Sequence, residues 1–246
     1  MSISKYLAVL AALVGCVPPF APPSHETLAE DLETKTVALV EEPNELDGLL
    51  ASLFGGPAPK PHVFCSGEWV SKIDILTANH CVRDQEPGDI VLYAMKGDIT
   101  IGSDQQAVFH LRHARVEFRD AAHDLAMLLV GRAPPEHGIA VVAPGEPRVG
   151  QGAYSMSNPL GQTFSWSSGE VADIRYEDSG EGPQWYVQAT TPISPGSSGS
   201  GLYDAWGRLI GVADWYVRGG ENLNFFVHPD YVRAFLTSAA APHAAP

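Results

Sequence analysis

The sequence predicts an all-β fold. Three observations carry that expectation. Short apolar, strand-like runs recur along most of the chain. Turn residues punctuate them, as at Pro87-Gly88 and Lys96-Gly97-Asp98. One stretch near the end, Pro229 to Leu236, has helical spacing, with Val232, Phe235 and Leu236 on one face. Many short strands with little helix mean a sandwich or barrels.

The first residues stand apart from that pattern. Lys5 gives a minimal positive start, and Tyr6 to Val14 is an apolar run too short to span a bilayer. Residues 1–15 therefore read as a signal peptide. Residues 17 to about 30 hold repeated prolines and polar side chains and are expected to be a tether, with the folded domain over 31–238. A first strand is expected at 36–40. Residues 41–61 mix acids, the apolar pairs Leu49-Leu50 and Leu53-Phe54, and Gly55-Gly56-Pro57. They read as an insertion loop with at most one helical turn, and loops of that length often carry function. Strands are expected next at 62–65, 69–71, 74–77, 89–95, 107–111 and 125–130. The pattern continues at 140–142, 152–156, 169–174, 185–189, 209–213 and 223–227. Residues 239–246 are a low-complexity stretch read as a disordered tail.

Composition narrows the function. With 45% apolar residues the chain can bury a sizeable core. A formal net charge of −14 argues against a nucleic-acid surface, which needs basic patches.

Chemistry concentrates in three stretches. In residues 193–202, Ser194, Ser197, Ser198 and Ser200 lie among glycines. Such a bend presents a hydroxyl and aims backbone N–H groups at one point, as acyl transfer requires. A flexible serine-glycine loop is the plain alternative. A phosphate loop is disfavoured, because no lysine follows the glycines and no helix opens after them. His80 ends the apolar run Leu76-Thr77-Ala78-Asn79, and Asp124 opens the run Leu125 to Val130. The three occur in the order His, Asp, Ser.

Leu76 to Cys81 resembles the LTAAHC motif of trypsin-like serine proteases. Asp124 to Leu128 resembles their DLALL, and Pro195 to Leu202 resembles NPGNSGGPL. Ser157 to Gly161 resembles GNPLG, and Asn224 to Pro229 a terminal NFAIP. The chain is thus similar, over roughly residues 35 to 238, to the protease domain of the HtrA/Do group. Ser197, Ser200 and Gly201 depart from the motif around the nucleophile. The resemblance implies two six-stranded antiparallel barrels of the chymotrypsin type with a short C-terminal helix. His80 and Asp124 come from the first barrel and Ser198 from the second. No peptide-binding module is expected after the protease domain, and no zymogen cleavage.

The resemblance also assigns roles. His80 is general base, Asp124 orients it, Ser198 is the nucleophile, and the N–H groups of Gly196 and Ser198 form the oxyanion hole. Pro192, Asp214, Trp215 and Tyr216 fall at the substrate pocket. Asp214 is expected to turn toward Asp124, where two close carboxyls would share a proton. The rival is that it faces the pocket and selects Arg or Lys. With an uncharged Pro192 and a bulky Tyr216, small or medium aliphatic side chains are the expected choice. No cofactor or metal is implied. The partners implied are protein or peptide substrates. An inactive binding protein with this fold, or an esterase with the same triad, is the alternative.

Leu13-Val14-Gly15-Cys16 resembles a bacterial lipobox, which implies a lipid on Cys16 and an anchored envelope protein, periplasmic or at the outer membrane. The alternative is an ordinary secretory signal. An exported chain with Cys65 and Cys81 remaining suggests one disulfide, and the resembling family bridges corresponding positions. A metal site of Cys65, Cys81 and His80 is the less favoured alternative, with no fourth ligand apparent.

Overall fold

The computed structural model describes residues 21–56, 59–103, 107–134, 136–180 and 182–240. The expected signal peptide, Cys16 and the start of the tether lie outside the described residues, as do residues 241–246 of the expected tail.

The chain opens with helix α1 (His25–Lys35), followed by β1 (Thr36–Glu41), α2 (Glu45–Phe54), β2 (His62–Trp69), β3 (Asp74–Ala78) and β4 (Ile90–Ala94). Then come β5 (Ile99–Ile101), β6 (Ala107–Phe109), β7 (Arg112–Asp120) and β8 (Leu125–Leu129). The second half holds β9 (Gly152–Ser157), β10 (Ser165–Asp178), β11 (Pro183–Ala189), β12 (Gly201–Tyr203), β13 (Leu209–Tyr216), β14 (Asn224–Val227) and α3 (Pro229–Ala240).

The strands close two six-stranded antiparallel barrels, in the orders β1-β2-β3-β8-β7-β4 and β10-β11-β14-β13-β12-β9. Strands β5 and β6 form a separate pair. Closure leaves no open sheet edge in either barrel. This is the fold that the sequence predicts.

Strand periodicity explains why the barrels pack together. Along β8, Ala126 and Leu128 face the core of the first barrel with Val37, Trp69 and Ile75. Their neighbours Leu125 and Met127 face the other way. They join Tyr203, Leu209, Val212 and Phe225 of the second barrel in a shared core. A strand buried on both faces reads as a continuous apolar run, and residues 125–130 do.

Three expectations are corrected. Residues 25–30, expected in the tether, are helical. Ser24 caps the helix by accepting the Thr27 N–H, and Leu28 and Leu32 are buried in the shared core. Residues 41–61 contain the ten-residue α2, capped by Asn44 and ended by Gly55 in the left-handed conformation (φ 69°). At the other end α3 runs to Ala240 with Ala239 buried, so the expected tail begins as helix.

The strand inventory also shifts. The expected run 62–65 lies within the longer β2, of the run 69–71 only Trp69 is strand, at the end of β2, and 140–142 yields only the bridge Val142–Leu209. Strands β5, β7 and β12 have no counterpart in the expected list.

Candidate active site

The 3-10 turn Asn79–Cys81 follows β3 and carries His80. The Asn79 N–H donates to the Asp124 carbonyl at 3.0 Å, which fixes the turn against the start of β8. Asp124 has φ 52°, a left-handed backbone that Asp tolerates better than most residues. Its carboxylate accepts two hydrogen bonds from one residue. The His80 backbone N–H reaches Oδ1 at 2.7 Å, and His80 Nδ1 lies 2.7 Å from Oδ2. The Asp124 side chain is 2% exposed and that of His80 is 32% exposed, so the imidazole is held from behind and open in front. Cys81 is disulfide-bonded to Cys65 on β2. The bridge ties the turn to the barrel and removes the thiolates that a metal site with His80 would use.

Ser198 lies on the turn before β12. Its carbonyl accepts the Ser66 N–H from β2 at 2.8 Å and sits 3.8 Å from Cys81 Sγ, beside the His80 turn. The neighbouring serines point elsewhere. Ser197 and Ser200 are fully buried. Their hydroxyls pair with Ser157 and Ser155 of β9, at 3.2 and 3.4 Å. Ser198 alone of the three is partly exposed.

The backbone of this turn is divided in the same way. The N–H groups of Ser197 and Ser200 donate within the turn, that of Gly199 donates to Ala213, and that of Gly201 donates to Glu68. Among the described residues, the N–H groups of Gly196 and Ser198 have no such partner, which leaves them free to bind an anion. Gly196 has φ 98°, and a Cβ there would overlap the Asn158 carbonyl oxygen. Only glycine fits at this position.

Of the partners that hold the turn, Ser66 and Glu68 lie in no motif, and Asn158 lies in the stretch Ser157 to Gly161. Ser66 Oγ donates to the Gly196 carbonyl at 2.8 Å. Asn158 Nδ2 donates to Ser66 Oγ and to the Val37 carbonyl, at 2.9 and 3.1 Å. Glu68 accepts the Gly201 N–H at 2.8 Å and the Tyr203 hydroxyl at 2.7 Å. Burial pushes the Glu68 carboxyl up to about 8, against the lowering effect of Gly201, Tyr203, Thr36 and Lys35.

Asp214 turns toward the histidine rather than toward a pocket. One side-chain nitrogen or oxygen from each of His80, Asp124 and Asp214 lies within 4.8 Å of the others. Burial, followed by the charge of the adjacent Asp124, pushes the Asp214 carboxyl up to about 8. Tyr186 donates to Asp214 Oδ2 at 2.9 Å, and burial and then the Asp214 charge raise the phenol above its usual range. Trp215 stacks on Phe225 at 3.9 Å, and Tyr216 packs against the core of the second barrel. Pro192 is exposed, and its carbonyl accepts the Ser167 hydroxyl at 3.5 Å. Neither Pro192, Trp215 nor Tyr216 brings a charge to this face.

Comparison with known proteins gives the family and the fold. A family model described as trypsin-like peptidase domain matches residues 65–212. Protease Do-like 1, chloroplastic, of Arabidopsis thaliana is 28% identical over 150 residues, covering 58% of this chain. The match spans 31% of that relative's length. The crystal structure of the serine endoprotease from Yersinia pestis superposes with a TM-score of 0.64 at 18% identity. It covers 89% of this chain and 68% of the other, and supports the fold.

Proposed function

This chain belongs to the trypsin-like peptidase family, and from that premise we propose that it is a serine endopeptidase working through an acyl-enzyme. One observation carries the reading. Of Ser197, Ser198 and Ser200, Ser198 is the one left partly exposed, and its own N–H and that of Gly196 have no partner among the described residues. His80 and Asp124 supply the rest of the machinery.

In this mechanism Ser198 Oγ attacks the scissile carbonyl and His80 Nε2 takes its proton. Asp124 holds the ring through Nδ1 and stabilises the imidazolium that forms. The oxyanion accepts from Gly196 and Ser198, and losing one such donor costs about 2.7–4 kcal/mol in related chemistry. His80 then protonates the leaving amine, and water releases the acyl group by the reverse path.

For substrate choice the reading is a protein or peptide with a small or medium aliphatic side chain on the acyl side of the cut. Asp214 is engaged by Asp124 and Tyr186, which leaves no carboxylate for a basic side chain from that position. A signal peptide over 1–15 and a lipid on Cys16 complete the proposal and rest on the sequence alone.

The test is hydrolysis of a peptide library by the purified protein. Ser198→Ala is expected to abolish cleavage, while Ser197→Ala and Ser200→Ala retain it. Cleavage is expected after Ala or Val. Undiminished hydrolysis by Ser198→Ala removes the nucleophile assignment, and dominant cleavage after Arg or Lys removes the pocket assignment.

A further inference from the structure

We propose that Asp214 is a positioning residue that stays protonated at neutral pH, donates its proton to the Asp124 carboxylate, and switches the site off when it ionises in alkali. This rests on the catalytic reading of His80, Asp124 and Ser198.

The crowding of two acids calls for the proton. A carboxyl oxygen of Asp214 and one of Asp124 lie within 4.8 Å of each other and of a ring nitrogen of His80. Two carboxylates that close repel, and an ionised carboxylate can only accept, so a hydrogen bond between the pair needs one hydrogen. The surrounding donors decide which residue carries it. Asp124 already accepts the backbone N–H and faces the ring nitrogen of His80, at 2.7 Å each, and these favour its anion. Asp214 accepts only the Tyr186 hydroxyl among the described bonds. That phenol in turn accepts from Gln184 Nε2 at 2.7 Å and lies 2.9 Å from Ser179 Oγ. The chain offset between Ala213 and Trp215 on β13 lets Asp214 step out of the regular ladder toward the first barrel.

The titratable groups facing Asp214 are Asp124 at the start of β8, His80 in the turn after β3, and Tyr186 on β11. Loss of the Asp214 proton sets two like charges side by side. The bond that steadies Asp124 becomes a repulsion, and Asp124 no longer fixes the His80 ring. A hydroxyl or an amide at position 214 could donate to Asp124 without this failure. An acid there makes the donor conditional on pH.

Two measurements on the full protein test this. The first is the dependence of kcat/KM on pH for a peptide substrate. The wild type is expected to lose activity above about pH 8, in step with the raised Asp214 carboxyl. Asp214→Ala is expected to lower kcat/KM near neutrality by about ten- to a hundredfold, since a bond to a charged group is lost. Asp214→Asn, which keeps a donor, is expected to recover most of that loss and to show no alkaline limb. An alkaline limb in Asp214→Asn equal to that of the wild type overturns the proposal.

The second is carbon-13 NMR of the carboxyl groups, with the Asp214 signal assigned by its loss in Asp214→Asn. A protonated-acid shift at pH 6 that changes through a midpoint near 8 supports the proposal. A carboxylate shift at pH 6 overturns it. This readout needs no hydrolysis, so it stands even where the peptidase reading itself fails.

Discussion

Glu68 is a fully buried carboxyl, placed where three segments meet. It faces Thr36 across the β1–β2 ladder and binds Gly201 and Tyr203 from the second barrel. Its raised titration makes it a stability group as well as a link. Folding lifts it from an ordinary value of 4.5 to about 8. Between those limits the folded state holds a proton that the unfolded chain releases, so this contribution is complete below pH 4.5 and fades as pH rises toward 8. Glu68→Gln is expected to flatten the fall in urea midpoint between pH 5 and pH 8. Parallel curves for the two proteins would contradict the assignment. Asp214 acts in the same direction, from 3.8 to about 8, and remains in the variant.

At this scale the sequence was most legible where a residue is bound to a motif. His80 is paired with Asp124 and Cys65 is bridged to Cys81, two contacts that the motifs led one to expect. Ser66 and Glu68 were invisible, because each lies in an unremarkable strand and reaches the serine turn through a partner more than a hundred residues away. Asn158 lay in a recognised motif, but its contact with β1 could not be read from it.

Among the elements, α1 changes the reading of the N-terminal region most. Its leucines are buried with the shared core of the two barrels, and Lys35 Nζ binds Asp31 at 2.5 Å and the Gly207 carbonyl at 3.1 Å. The prolines before it suggested a tether, and the apolar stripe of the helix is only two leucines wide, too sparse to announce itself. Leu32→Ala is expected to destabilise the fold by about 2–5 kcal/mol, as for other fully buried leucines. Urea denaturation measures this, and a loss under about 0.5 kcal/mol, typical of a surface change, would show α1 to be dispensable. Helix α2 carried its own signals, with Asn44 and Gly55 at the caps and leucines at 46, 49, 50 and 53 in helical spacing. The acids and the Gly-Gly-Pro around them obscured that spacing. Strand β7 was missed for a different reason. Only Ala114 and Val116 are buried along it, while His113 and Arg115 face solvent, so its apolar alternation is short and its charges dominate.

Across the whole molecule, the proposed chemistry depends on two barrels meeting correctly, because His80 and Asp124 stand at the strands of one and Ser198 precedes β12 of the other. Beside the shared apolar core, polar contacts tie the barrels together: Ser66 on Gly196 and Ser198, Asn158 on Val37 and Ser66, and Glu68 on Gly201 and Tyr203. The two six-stranded barrels followed from the family resemblance, whereas these cross-links require the assembled fold. The central claim is that this assembly makes Ser198 a nucleophile activated by His80. A fluorophosphonate probe, applied near neutral pH and mapped by mass spectrometry of the digested protein, tests it most directly. The account predicts a single adduct on Ser198 that is lost in His80→Ala. An unlabelled protein, or an adduct on Ser197 or Ser200 instead, would contradict it.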